Sequence, residues 1–170
     1  MRKKDEKAGF LVLLLFLIYL AILTWIILFK MQFSLRYMPC IRSINLIPFG
    51  RSMIANNTLD MQELIYNIIV FIPFGLYLGM LMPGKSFWKQ VLLVACASIV
   101  LEALQYVLAI GATDITDVIN NTLGGLIGSG LYLILYTFLG RKTNKILKWI
   151  ALVLSIIIIV FILSLILMNL

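Results

Sequence analysis

Histidine is absent from this chain of 170 residues, acidic residues number seven, and there are two cysteines. Without histidine, the side chain best suited to proton transfer near neutral pH is missing. Zinc sites and Ser–His or Cys–His nucleophiles of the usual kind are excluded with it. Cys40 and Cys96 are far apart and fit no metal-binding spacing; Cys96 lies inside an apolar run and reads as a small apolar residue. Charge of either sign is sparse, at 12% of the chain, whereas 63% is hydrophobic, against roughly 45–50% for an ordinary soluble domain. With a mean hydropathy of +1.10, this is the composition of a membrane protein, and the length fits a single domain. The net charge is +7, but most Lys and Arg fall between the apolar runs. The balance therefore reports topology rather than nucleic-acid binding.

A spanning helix needs about 20 apolar residues. Five segments qualify, at about 8–30, 64–82, 88–110, 115–139 and 147–168, so the fold class expected is an all-α polytopic membrane protein with five transmembrane helices. The first segment begins like a signal peptide. Its apolar run, however, continues from Ala8 to Phe29 with no A-x-A site at its end, longer than the roughly 7–15 residues of a signal h-region, and it is read as a retained anchor. Arg2, Lys3, Lys4 and Lys7 precede it, Lys85 and Lys89 separate spans two and three, and Arg141, Lys142, Lys145 and Lys148 separate spans four and five. With the N-terminus inside, these all fall on the cytoplasmic face. Only Lys30, Arg36, Arg42 and Arg51 fall outside, in segment 31–61. The expected topology is N-terminus cytoplasmic and C-terminus outside.

Against this scarcity of polar groups, spans three and four each carry a polar stripe. Ala95, Ser98, Glu102, Gln105 and Ala109 repeat at spacings of three and four, as do Asp114, Asp117, Asn121, Gly124 and Gly128. Such spacing keeps residues on one helix face. Gly124 and Gly128 form a small-xxx-small pattern that lets helices approach in lipid. A short link at Gly111-Ala112-Thr113 predicts an antiparallel hairpin with facing stripes. At a rise of 1.5 Å per residue, Glu102 lies about 12 Å below the outer end of its span and Asn121 about 10 Å below Asp114. Asn67, one turn beyond Glu63 on span two, reaches a similar depth. The expectation is a polar pocket open to the outer surface, with a kink at Pro73 that frees the carbonyl of Ile69 near its floor. Asp60, Glu63, Asp114 and Asp117 lie at or near that surface. Ionisable residues inside a membrane are functional candidates by default.

Segment 31–61 is too polar to span and too apolar for a free loop. Met38, Ile41, Ile44, Leu46, Ile47 and Phe49 predict an interfacial or re-entrant segment. Its arginines run against the positive-inside trend. Arg42 or Arg51 either reaches the acidic cluster, binds an anionic lipid or phosphate, or snorkels into headgroups. The tetrapeptide IPFG occurs at Ile47–Gly50 and Ile72–Gly75, but no longer repeat supports the inverted-repeat design of many transporters.

The runs RSINLIPF (Arg42–Phe49), NIIVFIPFGLYLG (Asn67–Gly79), EALQ (Glu102–Gln105) and DITDVINNTLGGLIG (Asp114–Gly128) resemble the VanZ-like family of bacterial membrane proteins. The family is named for an accessory protein of glycopeptide resistance associated with teicoplanin. The resemblance covers roughly residues 8–139 and implies a VanZ-like helical domain over 1–139, followed at 140–170 by a cytoplasmic basic loop and a C-terminal anchor helix. It also implies a role in the bacterial cell envelope. The family's polar pattern falls on Arg42, Asn45, Asn67, Glu102, Gln105, Asp114, Asp117 and Asn121. The chain departs from it at Ala112, where many members carry a basic residue.

Three functions compete. In the first, the outward pocket binds an anionic lipid, a lipid-linked cell-wall precursor or a lipoglycopeptide, with Arg42 and Arg51 on phosphate and the carboxylates on sugar or amine groups. In the second, the protein is an enzyme acting on a lipid-linked phosphate or glycan. Glu102 or Asp117 is then the general base, and Glu102, Asp114, Asp117 and Asn121 are hard oxygen donors for Mg²⁺ or Ca²⁺. The third, a cation-coupled transporter, ranks last, because the carboxylates gather on one side and the cytoplasmic halves of spans two to four read as nearly all apolar.

Overall fold

The structure, a computed structural model, describes residues 2–29, 41–49, 54–55, 58–59 and 61–168. Lys30, Arg36, Met38, Cys40, Arg51 and Asp60, singled out above, lie outside the described residues. Among the described residues, five helices are long and apolar enough to cross a membrane: α1 (Arg2–Phe29), α2 (Met61–Leu81), α3 (Phe87–Leu108), α4 (Ile115–Leu139) and α5 (Lys142–Met168). Two small sheets join them. Strand β1 (Ile41–Asn45) pairs in parallel with β4 (Ile110–Asp114), from Ile41 opposite Ile110 to Asn45 opposite Asp114. Strand β2 (Ile54–Ala55) pairs antiparallel with β3 (Thr58–Leu59). The chain is a multi-pass membrane protein, and its outer surface shows why. Leu92, Ile99, Ile134, Phe138, Ile157 and Phe161 are all more than half exposed, which suits hydrocarbon and would be costly in water.

The core lies on α2. Phe71, Phe74 and Leu78 pack against Leu23, Ile27 and Leu28 of α1 and against Val94 and Leu101 of α3. Nearer the other end, Tyr77 and Met80 meet Val12 and Leu15 of α1 and Tyr132 of α4. The tightest pairing is between α2 and α4, which run parallel. A Cβ on Gly124 would collide with the carbonyl oxygen of Ile68, and one on Gly128 with that of Ile72. Neither atom is a flexible side-chain tip, so only glycine lets these backbones meet. Helix α2 runs unbroken through Pro73. Next to the Ile69 carbonyl, whose helical donor Pro73 lacks, the Val70 carbonyl accepts a hydrogen bond from the Tyr19 hydroxyl at 2.7 Å.

Helix α3 ends at Leu108 because Ala109 adopts the left-handed conformation, φ 56° and ψ 35°, and its N–H turns back to the carbonyls of Gln105 and Tyr106. The link expected as a bare turn is therefore a strand. Five residues from Ile110 to Asp114 continue straight and take β1 as their partner. At the far end Gly140, also at positive φ, turns α4 into α5. Thr143 donates to the Leu135 carbonyl at 3.0 Å and Tyr132 donates to Asn144 at 2.9 Å, tying the two helices together. Beyond this joint α5 buries just Ser155.

Candidate functional site

The start of α4 organises the polar residues. Asp114 is its N-cap, and one carboxylate oxygen, Oδ1, accepts the Thr116 backbone N–H at 2.8 Å and the Thr116 hydroxyl at 2.7 Å. Its other oxygen, Oδ2, accepts from the Asn45 amide at 2.9 Å. Asn45 stands directly opposite Asp114 in the strand register, so the β1–β4 pairing sets that contact. Glu102 of α3 completes the cap, its Oε2 accepting the backbone N–H of Asp114 at 3.0 Å. The Glu102 main-chain carbonyl takes the Thr113 hydroxyl at 2.9 Å.

One turn into α4, Asp117 accepts from the Asn67 amide of α2 at 2.6 Å. A further turn on, Asn121 donates to the Ser98 hydroxyl of α3 at 2.8 Å, with both side chains fully buried. Gln105 donates to the Ile27 carbonyl of α1 at 2.9 Å. The structure thus links Asn45, Asn67, Glu102, Asp114, Asp117 and Asn121 to α4 or its cap, drawing on α2, α3 and β1, while Gln105 faces α1. Asn45, Asn67 and Asp117 are part-exposed; Glu102, Gln105, Asp114 and Asn121 are buried.

Arg42 is exposed, and its Nη2 donates to the Val107 carbonyl at the end of α3, at 3.3 Å, rather than to a carboxylate among the described residues. Gly124 and Gly128 serve the α2–α4 contact. Among the described residues no three acidic or cysteine side chains form a set suited to a metal ion. The carboxylates hold amide and backbone donors instead.

Two buried oxygens stand apart from this network. Asn121 Oδ1 and Gln105 Oε1 accept no hydrogen bond from the described residues. An unmet buried acceptor costs about 1–3 kcal/mol. Chemically the cluster is rich in acceptors: three carboxylates and several amide oxygens on a rigid helical frame suit N–H and O–H donors such as sugar hydroxyls or amines.

Several residues escaped the stripe reading. Thr116, fully buried, holds Asp114 and also accepts the Phe49 N–H at 3.0 Å. Gln90, Asn120 and Ser129 are buried too, each with a side-chain atom lacking a partner among the described residues. The expectation of nearly apolar cytoplasmic halves is corrected by Gln90 and Ser129. Between their level and the cluster, among the described residues, the buried side chain of Val94 lies against Gly125.

The profile of the VanZ/LLP1 family matches residues 16–139, which takes in the whole cluster. Protein VanZ of Enterococcus faecium is 42% identical over 119 residues, covering 68% of this chain and 69% of the relative. No solved structure gives a significant match.

Proposed function

The chain belongs to the VanZ/LLP1 family, and from that premise we propose that its polar cluster is a binding site facing the outside of a bacterial cytoplasmic membrane. Its ligand is the sugar- or amine-bearing head of a lipid-linked envelope precursor or of a lipoglycopeptide, and in cells the protein lowers susceptibility to teicoplanin. The observation that carries this reading is the pair of buried, unmet acceptors, Asn121 Oδ1 and Gln105 Oε1, the first of them one turn along α4 from the part-exposed Asn67–Asp117 bond. Helix-to-helix polar contacts in membranes average near 0.6 kcal/mol. Contacts that served only to hold helices together would not warrant leaving acceptors that cost more than that. The acceptor-rich chemistry selects donors, which the hydroxyls and amines of glycans and glycopeptides supply in number. Arg42, exposed beside the end of α3, gives the rim a positive charge for a phosphate or carboxylate of the same ligand.

Binding by the purified protein in lipid nanodiscs tests this, with teicoplanin and a polyprenyl-pyrophosphate-linked disaccharide peptide as probes. Wild type should bind at least one of them, Asn67→Leu should weaken that binding, and Arg42→Ala should weaken it at unchanged protein level. Equal binding by all three proteins, or none by wild type, would contradict the proposal.

A further inference from the structure

A second feature lies in the other half of the bundle, and it is apolar. A cavity of about 150 Å³ runs between α1, α2 and α5, lined among others by Ile22, Pro73, Met80, Leu147, Ala151 and Ile158. Its α5 wall extends from Leu147 to Ile158, about 16 Å along the helix axis at 1.5 Å per residue. The Tyr19 hydroxyl is already bonded to the Val70 carbonyl, and Tyr77 and Ser155 are the other polar side chains of the lining. What faces the cleft is mostly hydrocarbon and ring face.

The shape restricts the occupant. A helix with side chains is roughly 10–12 Å across and does not enter so small a volume, whereas an apolar cavity of this size takes a group the size of benzene. A stretch of one hydrocarbon chain of about benzene's volume, running parallel to the helices, fits the cleft. Bulk lipid tails are all equally apolar, so selectivity must come from the cleft's end, and that end is basic. Lys148 follows the lining residue Leu147 and sits one turn before Ala151 on neighbouring faces of α5. Its ammonium lies 5.9 Å from the Trp149 ring centroid.

We propose that this cleft is a binding site for an anionic phospholipid, with part of one acyl chain between α1, α2 and α5 and the phosphate on Lys148. The charge pattern of the loops places this basic end at the cytoplasmic leaflet, where anionic lipids attract basic residues. The site is separate from the polar cluster and does not depend on the function proposed for it.

The test is the thermal unfolding of the full-length protein in detergent, titrated with phosphatidylglycerol or with phosphatidylcholine of the same chains. Phosphatidylglycerol should stabilise wild type at concentrations about fivefold lower, the preference one lysine gives near a charged surface. Lys148→Gln should abolish that preference, and Ala151→Leu, which fills the cleft, should weaken the response to both lipids. Glycerol phosphate, a headgroup without chains, should have no effect, and this arm holds even if Ala151→Leu does not fold. Equal action of the two lipids on wild type, a preference retained by Lys148→Gln, an undiminished response of Ala151→Leu, or stabilisation by glycerol phosphate alone would each overturn the proposal.

Discussion

Glu102 of α3 closes the N-terminus of a different helix: its Oε2 accepts the backbone N–H of Asp114, the N-cap of α4, at 3.0 Å. In an ordinary capping box that N–H is met from within the same helix, by a side chain three residues after the cap. Here that position is Asp117, which accepts instead from Asn67 on α2. The Asp-x-x-Asp pattern is thus split between two neighbours, and three helices are fixed by one cap.

From this division of labour, Glu102→Gln should keep the fold, since its amide oxygen still accepts from Asp114. Glu102→Ala should destabilise by about 1–3 kcal/mol, the cost of an unmet buried donor. Thermal unfolding of the purified proteins in one detergent compares them; equal loss in both variants would mean that the Glu102 charge, rather than the bond, is what matters.

The α2–α4 contact makes a second prediction. Gly124→Ala and Gly128→Ala push a methyl group into the backbone of α2, and overpacking costs about 1–3 kcal/mol or more. Gly130, two residues beyond Gly128, has open space around it, so Gly130→Ala should be neutral or slightly stabilising. Membrane abundance and unfolding temperature of the three variants should separate them in that order.

Topology is open to labelling. In a Cys40→Ser, Cys96→Ser background, a cysteine replacing the exposed Ala112 should react with an impermeant maleimide added to intact cells, and one replacing Lys145 only after permeabilisation. The reverse pattern would turn the polar cluster toward the cytoplasm.

Much of this architecture was legible in the sequence, and the reasons are physical. Long apolar runs have one stable outcome in lipid, so the five helices fall close to the expected bounds; α1 and α5 gain their first turns from the charged residues preceding the apolar run. The stripe on α4 was legible because glycine and polar residues recur at helical spacing. The β1–β4 pair was not. Each strand is five residues long, and the partners lie 69 residues apart, so no local period announces them. Nor did Thr116 and Asn120 stand out, because each lies about 100° from its striped neighbour; Thr116 acts through the cap and through Phe49. Gln90 was hidden by position: next to Lys89 at the start of span three, it reads as part of the charged helix end rather than as a buried group.

The central claim, that the cluster is a working site, is tested most directly by teicoplanin susceptibility of a sensitive bacterium expressing wild type or Asp117→Asn at matched membrane levels. Asparagine keeps the shape and an oxygen for Asn67 but removes the charge. The account predicts that wild type protects and Asp117→Asn does not. Equal protection by both, or none by either, would contradict it.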